Sequence, residues 1–194
     1  MNCVRFLALC LLLGGCDRAP APPADPPLAG ARIGGSFALT DQHGRRFIDR
    51  QLAGRYRIMY FGYTSCPDVC PTDAQAIGAG LKRFEGQRPA LAAQVVPVFV
   101  TLDPARDTPR VLGAFVAAFH PRMIALTGSD AAIASLAKAY GMYFDRGRPN
   151  ADGGYLVNHS RQTYLMDKAG RPLALLPTDK GADAVAAELG RWVT

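Results

Sequence analysis

Cys66 and Cys70 are the residues of this chain whose type and spacing point most directly to chemistry. They stand four positions apart in the segment SCPDVCP, which spans residues 65–71. In an oxidising compartment, two thiols at this separation are expected to form a disulfide, a redox couple or part of a metal site. Pro71 favours the first position of a helix, so we expect Cys70 at or beside the helix N-cap and Cys66 in the preceding loop. A helix N-terminus stabilises anions and is expected to favour the thiolate forms.

The start of the chain has the features of an export signal. Residues 6–13 form an unbroken apolar run, and Arg5 is the only charged residue before Cys16. A helix that spans a bilayer needs about 20 apolar residues, so this run is too short to be one. We therefore predict a signal peptide over residues 1–15.

The apolar run ends in LLGGC at residues 12–16, which resembles the lipobox of bacterial lipoproteins. In such a protein the cysteine, here Cys16, carries the lipid and becomes the new N-terminus, while Cys3 and Cys10 leave with the signal. Asp17 resembles the residue that keeps some lipoproteins in the inner membrane of Gram-negative bacteria. The expected location is therefore the periplasmic face of that membrane, with a lipid anchor. An ordinary secretory signal is the alternative.

Residues 16–32 are rich in proline and alanine and are expected to form an extended tether. At about 3.1 Å per residue, such a segment can hold a domain about 40 Å from its anchor. Residues 33–194 have the length and apolar content of one domain. The net charge of +6 comes from dispersed cations, so we expect a solvated basic surface and no nucleic-acid partner.

The elements predicted around the cysteines alternate between strands and amphipathic helices. This order predicts an α/β protein with a thioredoxin-like fold, in which a central mixed sheet is flanked by helices and extended by an N-terminal β-hairpin. The cysteines are expected where a central strand meets the next helix. The predicted strands are a hairpin about the turn at 41–44, single strands at 56–62, 95–100 and 124–126, and a hairpin of 163–166 with 173–176. The first two predicted helices are one that buries Ile77, Leu81 and Phe84 but is weakened by Gly78 and Gly80, and one that begins with Thr108 as N-cap and Pro109 as its first residue. The other two are a helix from Asp130 to Gly141 and a last helix that buries Val185, Leu189 and Trp192.

His159 is the histidine best placed to join the cysteines. It precedes the predicted strand at residues 163–166, and in a thioredoxin-like topology the loop entering that strand faces the cysteine segment. His43 lies in a predicted turn and His120 at a predicted helix end, so neither is expected at the site. An imidazole from His159 would complete a set of two thiolates and one nitrogen ligand.

Several segments are characteristic when taken together: YFGYTSCPDVCP at 60–71, TLDPARDTP at 101–109, LTG at 126–128, HS at 159–160 and YLMD at 164–167. Over about residues 33–193 the chain resembles the Sco/SenC family of copper chaperones, the assembly factors for the binuclear copper site of cytochrome c oxidase. The resemblance implies that Cys66, Cys70 and His159 bind copper as Cu(I) and Cu(II). It also implies two partners, the copper-site subunit of the oxidase and a protein that donates copper.

The donor set agrees with this resemblance. Two thiolates and an imidazole suit Cu(I), and the imidazole helps to hold Cu(II), whereas a structural zinc ion is normally enclosed by four ligands and no fourth is evident. The family commonly has Asp where this chain has Asn158, a change that can alter hydrogen bonding around the site or partner docking. Asp68, Asp73 and Asp103 are expected to be a solvated loop charge, a helix N-terminal charge and a turn residue.

Two functions from different classes remain open. A tethered copper chaperone would deliver copper to the oxidase, whereas a thiol-disulfide reductase would keep the copper-site cysteines of the oxidase reduced through exchange at Cys66 and Cys70. The spacing Cys-x3-Cys counts against an ordinary oxidoreductase, in which two residues usually intervene. A peroxiredoxin-like peroxidase would need the lead-in Pro-x3-Thr-x2-Cys, which the residues Tyr60 and Thr64 do not match.

Overall fold

A computed structural model describes residues 25–150 and 154–194 of the chain. The predicted signal peptide, Cys16 and the first part of the predicted tether lie outside the described residues. No helix within the described ranges combines the length and the apolar character that crossing a bilayer requires.

The described part of the chain contains nine strands and five α-helices, together with two short 3-10 helices at Asp49–Leu52 and Thr178–Lys180. The strands are β1 Ala38–Asp41, β2 Arg46–Ile48, β3 Tyr56–Gly62, β4 Val95–Thr101, β5 Ile124–Thr127, β6 Phe144–Arg146, β7 Val157–His159, β8 Thr163–Met166 and β9 Pro172–Leu175. The helices are α1 Val69–Gln87, α2 Pro89–Ala92, α3 Pro109–Ala117, α4 Asp130–Ala139 and α5 Ala182–Trp192.

Seven of the strands form one mixed sheet in the order β2-β1-β5-β4-β3-β8-β9. The pairs β3–β4 and β4–β5 are parallel, whereas β8 lies antiparallel to β3 and β1 antiparallel to β5. All seven residues of β3 and all seven of β4 are buried, because helices cover these central strands and their sequences are almost wholly apolar. The predicted α/β class, central mixed sheet and N-terminal hairpin are confirmed.

Helix α1 packs its apolar face on the sheet through Ile77, Leu81 and Phe84, as predicted. Its glycine at position 78, which sequence alone marks as weakening the helix, permits a close approach to the end of α3. A Cβ atom there would lie 2.4 Å from the carbonyl oxygen of Phe119, well inside contact distance. Gly78 therefore lowers the helix propensity of α1 but allows the helix to pack closely against the chain at Phe119.

The small hairpin of β6 and β7 was missed by the sequence analysis. Its strands have three residues each, and Phe144 pairs with His159 across them. Short, partly polar strands separated by a long connection give no alternating pattern to recognise. The omission matters because β7 ends at His159.

Residues before position 33, which were assigned to the tether, already contact the folded domain. The backbone N–H of Leu28 donates to the carbonyl oxygen of Leu173, and Leu28 and Ile33 pack against the core. The predicted boundary between tether and domain stays a prediction, but the last residues assigned to the tether already touch the edge strand β9.

Candidate metal centre

The loop between β3 and α1 carries Cys66, and the first turn of α1 carries Cys70. Helix α1 begins at Val69 with Asp68 as its N-cap, two residues before the predicted start at Pro71. Proline is tolerated throughout the first helical turn, where backbone N–H groups have no partner within the helix, so Pro71 does not fix the first position. Cys70 is thus the second helical residue, while Cys66 lies in the loop as predicted. Both thiols are free.

Cys66 receives the electrostatic effect of the helix start. The backbone N–H of Cys70 donates to Cys66 Sγ at 3.4 Å. Burial opposes ionisation, but the N–H groups of Asp68, Val69 and Cys70 together with the Cys70 thiol outweigh it, so the pKa of Cys66 lies below its ordinary value. Cys66 is therefore the more nucleophilic thiol of the pair, and it is partly exposed.

Cys70 behaves in the opposite way. Its side chain is fully buried, and burial raises the pKa of its thiol to about 12. The prediction that the helix N-terminus would favour the thiolate is thus wrong for Cys70, because the backbone N–H groups point towards the other sulfur. In the metal-free protein Cys70 is a neutral thiol at physiological pH.

His159 faces Cys70 directly. Its Nε2 atom lies 3.3 Å from Cys70 Sγ, and its Nδ1 atom lies 2.7 Å from the backbone oxygen of Ser160. Because a carbonyl oxygen only accepts, Nδ1 carries the proton, and Nε2 presents its lone pair to the sulfur. This is the tautomer that a metal ligand bound through Nε2 requires. The ring of Tyr63 meets the imidazole edge-on, with centroids 6.1 Å apart.

Gly62, the last residue of β3, creates space for the Cys70 sulfur. A Cβ atom at position 62 would lie 3.1 Å from Cys70 Sγ and 3.2 Å from the rings of both Phe99 and Tyr60. The sulfur therefore rests against bare backbone at the end of a central strand.

The three predicted ligands are brought together around Cys70, but they do not yet enclose a metal ion. Within the described residues, no three Cys, His, Asp or Glu side chains already converge as a metal site. Cys66 and His159 must close on a common point to share an ion with Cys70. Both are partly exposed, one in a loop and one at a strand end. Two sulfurs and one available imidazole nitrogen fit a soft ion such as Cu(I).

Asp107 holds the loop that leads to Cys66. Its buried carboxylate accepts hydrogen bonds from the backbone N–H and the hydroxyl of Thr64, at 3.0 and 2.5 Å, and from the hydroxyl of Thr101 at 2.5 Å. These contacts join the residue two positions before Cys66 to the end of β4. TLDPARDTP is recognisable as a family segment in the sequence, but the role of Asp107 within it is visible only in the structure.

Asp73 and Arg161 connect the two halves of the site. Arg161, two residues after His159, donates from Nε and Nη2 to the two carboxylate oxygens of Asp73, at 2.8 and 2.7 Å. Asp73 is fully buried and also accepts from the hydroxyl of Tyr60. Hydrogen bonding to Asp73, followed by its charge, raises the pKa of Arg161 despite partial burial, so its guanidinium stays charged. The prediction of a plain helix N-terminal charge at Asp73 is therefore incomplete.

Asp103 begins a turn, as predicted, since its carbonyl oxygen accepts the backbone N–H of Arg106, but its side chain has a further role. It is fully buried, accepts from the hydroxyl of Tyr155 at 2.6 Å and pairs with Arg106. Arg106 in turn lies over the ring of Tyr155, 3.8 Å from its centroid. Asp103 thus fastens the connection before β7, whereas Asp68 is exposed, as predicted.

The hairpin register gives a physical reason for Asn158. Asn158 lies directly across from Asp145 in the β6–β7 pair. An aspartate at position 158 would place two carboxylates opposite each other, which destabilises a strand pair. The neutral amide avoids that repulsion.

The other two histidines are not at this site. His43 is exposed in the β1–β2 turn, and His120 is buried beside Glu85, with Nε2 at 3.3 Å from the carboxylate. The positions of His43 and His120, away from the cysteines, are as predicted.

A thioredoxin-like sheet that presents two thiols and an imidazole at the end of its central strand defines a class of thiol-based redox and metal-handling proteins. Residues 25–194 match the sequence profile of the SCO1/SenC family. The chain belongs to this family. The predicted family resemblance is confirmed.

Relatives of known sequence cover most of the domain. The chain is 40% identical over 141 residues to the SCO2-like protein of Rickettsia prowazekii, covering 72% of this chain and 67% of the relative. It is 38% identical over 141 residues to mitochondrial SCO1 of Saccharomyces cerevisiae, covering 72% of this chain and 46% of the relative. The chain therefore spans less than half the length of the yeast protein.

Solved structures confirm the fold. Copper-bound ScoI of Arabidopsis thaliana superposes with a TM-score of 0.75 at 34% identity, covering 81% of this chain and 95% of that one. Copper-bound ScoI of Bradyrhizobium japonicum gives 0.74 at 36% identity, covering 82% of this chain and 99% of that one. Almost the whole of the latter chain therefore corresponds to the domain described above.

Proposed function

We propose that this protein binds copper through Cys66, Cys70 and His159 and delivers it to the binuclear copper site of cytochrome c oxidase. The observation that carries the proposal is the 3.3 Å approach of His159 Nε2 to Cys70 Sγ. A thiol-disulfide enzyme has no need of that imidazole, whereas a copper site gains a third ligand from it. The copper-bound states of the two ScoI structures support the same assignment.

Copper is the cargo of this site rather than a fixed component. Loading requires both thiols to lose their protons. Cys66, with its lowered pKa, loses its proton first, and the metal displaces the proton of buried Cys70. Release to an acceptor with its own thiolates reverses these steps, because Cys66 in its loop is accessible for a partner ligand to replace.

Metal titration tests this proposal. Anaerobically reduced protein is titrated with Cu(I) and with Cu(II), and the bound metal is measured after desalting. We expect one equivalent of each ion. Retention of neither ion would overturn the copper assignment and leave only the thiol chemistry.

A second candidate function is reduction of the cysteines of the oxidase copper site. The observation that favours it is the contrast between a partly exposed Cys66 of lowered pKa and a protected Cys70. The Cys66 thiolate would attack an oxidised disulfide of the target, forming a mixed disulfide and releasing one target thiol. Cys70 would then attack Cys66 Sγ, which releases the second target thiol and leaves a Cys66–Cys70 disulfide. A disulfide-bearing peptide from an oxidase copper-site loop, mixed with the reduced protein, tests this exchange.

We further propose that the mature protein is anchored at the periplasmic face of the inner membrane through lipid on Cys16. The LLGGC segment supports this anchor, and residues up to 24 then link it to the domain. Replacing Cys16 by Ser should move the protein from the membrane fraction to the soluble periplasmic fraction. Wild-type protein that is soluble and unmodified would contradict the proposal.

A further inference from the structure

A cluster of arginines lies at the end of the sheet opposite the cysteines. An open groove of about 530 Å³ is bounded by the β1–β2 turn and by the segments that precede β3 and β5. Its lining includes Arg45, Arg46, Arg55 and Arg122. We refer to this feature as the arginine groove.

Two of the four arginines in the groove form no ion pair with an acidic side chain of the described residues. Arg45 pairs with Asp41 at 2.9 Å, and Arg122 pairs with Glu85 and donates to backbone carbonyl oxygens. In the part of the chain that the structure describes, Arg46 and Arg55 are exposed and form no ion pair. The groove therefore carries a net positive charge and can accept an anion without breaking an existing contact.

The position of the groove follows from the parallel strands. Arg55 directly precedes β3, and Val96, also in the lining, is the second residue of β4. The cysteine loop leaves β3 at its other end, after Gly62. Seven residues of strand separate the two ends of β3, or roughly 20 Å.

The tether enters the domain at the same end as the groove. Leu28 bonds to Leu173 in β9, whose neighbour Pro172 pairs with Met166, and Met166 pairs with Arg57 at the start of β3. The chain that leads back to the proposed anchor therefore leaves from the end that carries the uncompensated arginines.

We propose that this end of the domain docks on an anionic phospholipid bilayer, with Arg46 and Arg55 contacting lipid phosphates. The point at which the tether joins the domain favours a bilayer over a soluble anion as the occupant, because Leu28 lies at the end of the sheet that carries the groove. This argument rests on the proposed lipid anchor at Cys16, which would bring that end of the domain to the membrane. Docking directs Cys66, Cys70 and His159 away from the lipid, where a protein partner can reach them. This goes beyond copper binding, and it is testable on the domain without its lipid.

The test uses residues 25–194, because the solved ScoI chain of Bradyrhizobium japonicum corresponds almost entirely to this domain, and measures co-sedimentation with vesicles. One set contains phosphatidylglycerol and phosphatidylcholine in equal parts, and the other contains phosphatidylcholine alone. The wild-type domain should bind the anionic vesicles at low salt, lose that binding at high salt, and ignore the neutral vesicles. Arg46→Gln with Arg55→Gln should weaken anionic binding about 10- to 30-fold, since each cation near an anionic surface contributes about fivefold.

A double variant of equal net charge is the matched control. Arg110, at the start of α3, and Arg148, after β6, are exposed residues on the side of the cysteine site. Arg110→Gln with Arg148→Gln should leave vesicle binding within about twofold of wild type if the groove is specific. An equal loss in both double variants would overturn the proposal in favour of a general charge effect. Displacement from vesicles by millimolar inorganic phosphate, with phosphate binding lost only in Arg46→Gln/Arg55→Gln, would overturn it in favour of a soluble-anion site.

Discussion

Arg161 and Asp73 form a two-pronged ion pair that joins the segment carrying His159 to the helix carrying Cys70. The pair spans 88 positions of sequence, yet each partner stands within three residues of a proposed ligand. Because Asp73 is fully buried, the pair holds the two ligands at a defined separation from beneath the site. The distance between Cys70 and His159 therefore depends on residues that bind no metal.

Removing Arg161 tests this dependence. Arg161→Ala leaves a buried carboxylate without its cation, and the free energy of unfolding should fall by about 2–3 kcal/mol. This lies at or below the range of about 3–5 kcal/mol for broken buried pairs, because Arg161 is partly exposed. Cu(II) affinity should fall by more than Cu(I) affinity, because Cu(II) depends on the imidazole whose position is released. Chemical denaturation and metal titration measure both effects. Arg148→Ala, at an exposed arginine, is the control and should change neither.

A double variant separates the ion pair from the loss of the arginine itself. Arg161→Ala combined with Asp73→Ala removes both charges and should recover most of the lost stability. Copper binding equal to wild type in Arg161→Ala would show that the pair does not position His159.

The two thiols should differ in reactivity. Cys66 is partly exposed with a lowered pKa, whereas Cys70 is buried with a pKa raised to about 12. In the reduced, metal-free protein at neutral pH, iodoacetamide should therefore modify Cys66 at least about 10-fold faster than Cys70. Mass spectrometry of the Cys66→Ser and Cys70→Ser variants gives the two rates separately. Equal rates would contradict the assignment of the helix N–H groups to Cys66.

Folding stability should decrease in mild acid because of His120. Burial lowers the pKa of His120, against the opposing charge of Glu85, and the positive charges of Arg122 and Lys82 lower it further. The Nδ1 atom also accepts the backbone N–H of Arg122 at 3.2 Å, which a protonated ring cannot do. Since the pKa in the folded state lies below the unfolded value of 6.5, the contribution of His120 is complete above pH 6.5 and is lost as the pH falls through the folded pKa.

Thermal unfolding between pH 7 and pH 5 measures this effect. The loss should approach about 1.4 kcal/mol per pH unit over the range in which only the unfolded chain is protonated. His120→Gln should flatten the profile, whereas His43→Gln, at an exposed histidine, should leave it as in wild type. A profile that His120→Gln does not alter would place the acid sensitivity elsewhere.

Local patterns in the sequence were sufficient for much of the fold. The strand Tyr56–Gly62 has the predicted bounds, and Thr108 caps α3 by accepting the backbone N–H of Val111. Both features depend only on residues that are close together in the sequence, so they can be predicted from the sequence alone. The start of α1 was predicted two residues late, because Pro71 is compatible with several positions in the first turn.

Contacts between distant residues account for what the sequence analysis missed. The pairing of Asp73 with Arg161, and of Asp103 with Tyr155, joins residues whose approach depends on the complete sheet. The Cys70 pKa is another case, because burial reverses the effect expected from the helix N-terminus. Cys66, Cys70 and His159 were recognisable because their residue types carry chemistry, whereas their supporting residues resemble ordinary surface charges in sequence.

The most direct test of the central claim is a titration of wild type and His159→Ala with Cu(II) and Cu(I), alongside oxidase assembly in cells. Without the imidazole, two thiolates can still hold Cu(I) in near-linear geometry but serve Cu(II) poorly, so Cu(II) binding should be lost while Cu(I) binding largely persists. Disulfide formation between Cys66 and Cys70 should change little, and oxidase assembly should fail. Unchanged Cu(II) absorption together with full oxidase activity in His159→Ala would contradict the account and leave the reductase as the function of this site.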